Sequence, residues 1–446
     1  MTATRIVTPL GMLGYGFPEA SFEAALDQAP HAICCDAGST DAGPHKLGSG
    51  VGIVSRRATR RDLAIMFEVA RRRGIPVIVG SCGGSGAAPH LRWTADIVSE
   101  ILREMNWSAR VALIHADVDP DLVRKARSSG DLRPLRNVDP IDDQGIGACT
   151  SIVAQMGPEP IISALESDAD IVLCGRAYDP AVIAALPMLR GGDPGLAHHM
   201  GKIMECGAQC AVPGAASDCM IGSLDADGFT LTPSNPERLC TTTSVAAHTL
   251  YEKSDPASLP GPGGTLDLSA CRFENAGDRG VRVTGSRFVP ETPYRVKLEG
   301  AALVGYRSIS IAGVRDPGMI AAIDECLDHV RKAVRDFGDA DARVDFIVYG
   351  RDGVLGGREP SDAIAHELGI VIESVADTQE AASAACSLAR SSLLHYHYSG
   401  RKSTSGNLAF PFAPSDFQGG PVYRFALYHT IGTDDPCALF PISWLN

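Results

Sequence analysis

A chain of 446 residues exceeds the usual size of one hydrophobic core, so its length alone predicts two or three domains. With 45% hydrophobic and 21% charged residues, the composition fits an ordinary soluble globular protein. A formal charge of −13 argues against broad binding to nucleic acid or an anionic membrane, though a local basic pocket for an anionic substrate stays open.

Residues 5–9 read as a short strand, followed by a glycine-rich turn over 11–16 and a helix over 18–29 with Phe22, Ala25 and Leu26 at helical spacing. The apolar run 31–35 reads as a buried strand. It delivers the chain to a stretch, 35–50, that carries Asp36, Ser39, Thr40, Asp41, His45 and Lys46 among several glycines. Thr59 is a candidate N-cap for a helix that puts Leu63, Phe67 and Ala70 on one face. A strand over 76–80 ends in Ser81, Cys82, Gly83 and Gly84, and a helix is predicted over 91–105. The strand 110–114 ends in His115 and Asp117. After a polar stretch, two short helices are expected to flank Pro158 and Pro160. The strand 170–174 then ends in Gly175, Arg176 and Asp179, with Pro180 placed to open the next helix. Residues 198–207 read as helical.

The character changes near 220. A turn at 225–228, a strand at 230–232, a helix at 241–251 and alternating residues over 264–312 predict a β-rich part. The last section reads as a helix over 317–337, a strand over 344–349, a helix over 378–394 and a strand over 422–429. A basic segment with His395, His397, Arg401, Lys402 and Ser403 lies between the last two.

These patterns predict an α/β protein in three parts. Residues 1–220 form a mostly parallel sheet with helices on both faces, 221–315 a β-rich part, and 316–446 a small α+β unit. In such sheets ligands bind outside the carboxyl ends of the strands. Four successive strand ends, at Asp36, Ser81, His115 and Gly175, carry polar and glycine clusters, so the site is expected there.

Asp36, Asp41, His115, Asp179 and Glu205 are the candidates for proton transfer. Ser39, Thr40, His45, Ser81, Cys82, Gly83, Gly84 and Arg176 would line a substrate site, with His395, His397, Arg401, Lys402 and Ser403 supplying positive charge and hydroxyls. Arg176 and Asp179 could equally form a structural salt bridge at a helix start, and Glu205 could sit on an exposed polar face. A divalent metal is an alternative: Asp36, Asp41, His45, Cys82, His90, His115 and Asp117 offer oxygen, sulfur and nitrogen donors, although no two follow a recognised metal spacing. The glycines at 11, 14 and 16 are in the wrong order for a dinucleotide fingerprint. No G-x-S-x-G elbow or nucleotide-triphosphate loop is present. Thirteen cysteines without a C-x-x-C pair, no signal-like start and no apolar run of membrane length point to the cytoplasm.

The segments A-D-I-V-L-C-G-R-A-Y-D over 169–179, K-I-M-E-C-G-A-Q over 202–209 and V-G-S-C-G-G over 79–84 resemble the acyclic terpene utilisation (AtuA-like) family, over most of residues 5–310. The resemblance implies catabolism of branched acyclic terpenoids through CoA thioesters, with cleavage of a 3-hydroxy-3-methylglutaryl-CoA-like intermediate as a suggested role. It carries function onto Arg176, Asp179, Glu205, Gly83 and Gly84. The loop around Asp36 and the segment 395–402 depart from the family pattern, as a divergent subfamily would. The reading is a cytoplasmic catabolic enzyme, a lyase or hydratase of a small carboxylate or acyl-CoA, with a homo-oligomer as the default state. A metal-dependent hydrolase and a non-catalytic partner in a catabolic complex are the alternatives.

Overall fold

The computed structural model describes residues 3–252, 255–338, 341–363 and 365–445. The chain divides into two compact units, Met1–Ala302 with Phe425–Asn446, and Leu303–Arg424.

The first unit is built on a ten-stranded sheet. Its centre is five parallel strands in the spatial order Thr4–Thr8, Ala32–Asp36, Val77–Gly80, Ile171–Cys174, Val111–Ile114. Each is a short apolar run because both faces are covered. Ile33 and Cys35 point into one core with Leu63, Phe67 and Ile97, while Ala32 and Cys34 point into the other with Val182, Ile183 and Met200. This is the doubly covered parallel sheet that the apolar runs predicted.

The first compact unit continues past residue 220. Strand Met220–Leu224 pairs antiparallel with Thr4–Thr8, and Phe229–Pro233 pairs with it in turn, so the β-rich stretch extends the same sheet. The change in character at 220 has a simple cause. The edge-side strand Phe229–Pro233 alternates buried and half-buried residues, whereas each central parallel strand has at most one residue that is not buried. At the other edge Ile442–Trp444 pairs antiparallel with Val111–Ile114, which places the chain's end in the first unit as well.

A second layer of strands lies within the first unit. Cys149–Ala154 runs between the short helices Asp143–Gly147 and Glu159–Glu166, where only helices were predicted. It pairs with the beginning of Tyr294–Val314, in the register Leu298↔Ala154 and Glu299↔Val153. The end of Asp416–Thr433 adds Thr430↔Arg133.

In the second unit, Arg343–Tyr349, Leu368–Ala376 and the later part of Tyr294–Val314 form an antiparallel sheet. Helices Ile323–Phe337 and Gln379–His395 share a core with it, including Val330, Ile370, Ile372 and Leu393. The helix predicted over 317–337 is divided at Ala322, which leaves Pro317–Ala321 as a separate turn-length helix. Among the described residues no helix is long and apolar enough to cross a membrane.

Candidate active site

The helices that follow Ala32–Asp36 and Val77–Gly80 pack in one core of the sheet, whereas Asp179–Leu189, which follows Ile171–Cys174, packs in the other. Where connections from neighbouring strands leave to opposite faces, a crevice opens at their carboxyl ends. Here it lies between the loops after Gly80 and after Cys174. Ser81, fully buried at φ +41°, accepts hydrogen bonds on its Oγ from Arg176 Nη1 at 3.1 Å and Ala177 N at 3.3 Å. A left-handed backbone at a residue other than glycine is a strained state held by its surroundings. The loops are pressed together: a Cβ on Gly86 would lie 2.1 Å from the Arg176 backbone nitrogen.

Arg176 is 2% exposed and is the hub of a buried charge network. Its Nε donates to Glu299 Oε2 at 2.8 Å, and its Nη1 reaches Asp179 Oδ1 at 3.2 Å and the Ala177 carbonyl at 2.7 Å. Glu299, fully buried, also accepts from Thr40 Oγ1 at 2.8 Å and Lys297 Nζ at 2.6 Å. Burial alone would raise this carboxyl, but Arg176 and Lys297 hold it down to about 2. The strand delivers it by simple alternation. Arg295, Lys297 and Glu299 share one face, while Val296 and Leu298 enter the core on the other. Lys202 and Glu205, at the end of helix Pro194–Met204, form a second buried pair. Burial works against the Lys202 ammonium, and the Glu205 carboxylate lifts it above its usual value.

Asp36 lies beside these pairs. Its Oδ2 accepts from Gly38 N at 3.1 Å, but its Oδ1 is enclosed and has no hydrogen-bond partner among the described residues. Burial pushes this carboxyl well above the carboxylate range; the charges of Asp179 and Glu205 push the same way, and Arg176 opposes them. Asp36 is therefore held towards its protonated form.

These groups border a cleft of about 680 Å³ and a smaller cavity of about 270 Å³ that reaches Asp36. Asp41, Asp179, Glu205 and Glu252 line both. Of the sequence candidates, Arg176, Asp179, Glu205, Asp36, Asp41 and Ser39 line one or both cavities, while Thr40 and Ser81 brace the network behind them.

The other candidates are placed differently. His115 Nε2 pairs with Ser443 Oγ at 2.7 Å and lines neither cavity. His45 is exposed on the short helix Pro44–Ser49. Cys82 is buried with its thiol pushed up to about 12 by that burial, and its Sγ faces the Val79 carbonyl. Gly83 and Gly84, both with positive φ, serve close packing: a Cβ would meet His90 at 2.7 Å or Ile53 at 2.9 Å. In the second unit His395, His397, Lys402 and Ser403 are exposed, and Arg401 donates within its own loop to Asn407, Ser403 and the Ser405 carbonyl. The cations that line the cleft are Arg133, Arg176, Lys202, Arg295 and Lys297.

The residues considered as metal donors do not converge. His90 Nε2 meets the Val51 carbonyl, and Asp117 accepts from Ala88 N. Among the described residues no group of three His, Cys, Asp or Glu side chains is arranged to hold a metal. Glu299, Lys297, Gln155 and Tyr428 belong to the site and were not anticipated. The legible signal was R-V-K-L-E over 295–299, three charges at every second position in a strand with an apolar opposite face.

Fold and site define an α/β protein with a charge-lined cleft at the switch point of a doubly covered sheet. Residues 56–411 match the family described as acyclic terpene utilisation family protein AtuA, and the chain belongs to that family. No curated protein and no solved structure gave a match.

Proposed function

We propose that the protein is a lyase or hydratase acting on a small carboxylate or an acyl-CoA thioester, in the catabolic role that membership of the acyclic terpene utilisation family implies. The observation that carries this reading is the enclosed Asp36 carboxyl beside the Asp179 and Glu205 carboxylates. Burial that raises the Asp36 carboxyl well above the carboxylate range suits it to the role of an acid.

Elimination or hydration next to a carbonyl needs both at once. A carboxylate takes the proton from the carbon beside the carbonyl, and an acid protonates the departing oxygen. In this reading Asp179, which contacts Arg176, or Glu205, which pairs with Lys202, takes the first role and Asp36 the second. Arg176 is a positioning residue in this scheme, because Glu299, Asp179, Ser81 and a backbone carbonyl engage it.

The test is Asp36→Asn, which keeps the shape of the protonated acid and removes its proton. Turnover of a panel of short 3-hydroxyacyl-CoA thioesters should fall by roughly 10²–10⁴-fold for the best substrate, the usual contribution of general acid catalysis. Unchanged turnover on that substrate would overturn the assignment.

A further inference from the structure

We infer that the strand face forming one wall of the cleft is a seat for a single carboxylate, built by Gln155, Arg133 and Lys297. This inference rests on the proposed function and specifies how its substrate is held.

Gln155 follows the strand Cys149–Ala154, and its backbone N–H donates to the Lys297 carbonyl at 2.8 Å. That bond continues the register Leu298↔Ala154 by one residue, which sets Gln155 opposite Lys297. Cross-strand partners project from the same face. Ala154 and Leu298 enter the core, so Gln155 and Lys297 face the cleft, which both line. Gln155 is 7% exposed, yet its carboxamide has no hydrogen bond among the described residues. Its amide opens to the cleft, where a bound ligand can supply the partners it lacks.

Two cations that line the same cleft have donors to spare. Lys297 Nζ reaches Glu299 Oε1 at 2.6 Å and Tyr428 OH at 3.2 Å, which uses two of its three protons. Arg133 lines the cleft, exposed, with no hydrogen bond or ion pair from its guanidinium among the described residues. Its neighbour Arg295 is already committed to Asp131 and Thr430.

The donors left unpaired on this wall select the ligand. Arg176 and Lys297 are offset by Glu299 and Asp179, Lys202 by Glu205, and Arg295 by Asp131. Arg133 makes no such pair, although its charge reaches Asp131 and the acids Asp41, Glu252 and Glu291 also line the cleft. One fork-shaped positive charge, with an amide and an ammonium lining the same acid-bordered cleft, matches a planar, singly charged carboxylate better than a doubly charged phosphate.

Calorimetric titration of the full chain with glutarate, its neutral diamide and inorganic phosphate tests the seat. Glutarate should bind, and the diamide and phosphate should bind at least about tenfold more weakly. Arg133→Ala should weaken glutarate by about tenfold or more. Gln155→Glu, similar in size but negatively charged, should do the same while the circular dichroism stays unchanged. Glutarate binding that is indifferent to both variants, phosphate binding as tightly as glutarate, or no binding of glutarate at all would each overturn the seat. Turnover is not read here, so a failed seat leaves the role of Asp36 standing, and a failed Asp36→Asn test leaves the seat standing.

Discussion

Replacing Glu299 by Gln isolates the buried charge network. The substitution keeps the volume but removes the charge that Arg176 and Lys297 share, and it turns an amide donor towards groups that already donate: Arg176 Nε, Thr40 Oγ1 and Lys297 Nζ. A fall in this carboxyl from 4.5 to about 2, at about 1.4 kcal/mol per unit, corresponds to roughly 3 kcal/mol of stability at neutral pH. Breaking a buried pair by removing one partner gives a similar figure, about 3–5 kcal/mol. The folded value lies below the unfolded one. This stability is therefore complete above about pH 4.5 and is lost as the pH falls towards 2. All three tryptophans, Trp93, Trp107 and Trp444, lie in the first unit, so urea unfolding followed by tryptophan fluorescence reports on the unit that holds Glu299. At pH 7 Glu299→Gln should lose about 3 kcal/mol against the parent, and the gap should narrow below about pH 4.5. A loss under about 1 kcal/mol, or a gap that does not change with pH, would refute the reasoning.

Other expectations follow from the same geometry. Asp36→Asn should be at least as stable as the parent at pH 7, because burial penalises the ionised acid. Since the folded pKa lies above the unfolded one, that advantage should fade towards pH 4, where both states hold the proton; a less stable variant at pH 7 would speak against a protonated Asp36. Gly86→Ala, at φ +66° and in contact with the Arg176 backbone, should cost at least about 2 kcal/mol; a melting temperature equal to the parent's would show that the two loops are not pressed together. Ser81→Ala should cost about 1–3 kcal/mol by removing the acceptor for Arg176 Nη1 and Ala177 N, as measured by the same unfolding assay. Cys82 should resist iodoacetamide in the native protein at pH 7, and a labelled Cys82 peptide under native conditions would contradict its burial.

The parts of this fold that depend on local pattern were legible, and those that depend on pairing at a distance were not. The parallel strands announced themselves because strands covered on both faces are nearly unbroken runs of apolar residues, as I-V-L-C is over 171–174. Asp36, Arg176 and Asp179 followed from the rule that ligands gather at carboxyl strand ends. The same rule offered His115, whose ring meets Ser443 on the edge strand Ile442–Trp444. Strand-end position fixes where a residue sits but not where its side chain is aimed. Glu299 reaches Arg176 across 123 positions of sequence, and no local spacing could join them. The strand Cys149–Ala154 was hidden because its first three residues are exposed or half-buried, and the prolines at 158 and 160 suggested helix starts on their own. The cations of the cleft were likewise sought in the compact basic cluster 395–403, whereas those that line it are spread over four elements, from Arg133 to Lys297.

The central claim is that Asp36, beside Asp179 and Glu205, holds its proton well above the usual carboxylate range. Difference infrared spectroscopy between the parent protein and Asp36→Asn at pH 7 reads that proton directly. The account predicts that the variant lacks a carbonyl band of a protonated carboxylic acid, and that this band persists in the parent until the pH is raised well above the usual carboxylate range. A difference spectrum containing only an ionised carboxylate at pH 7 would contradict it.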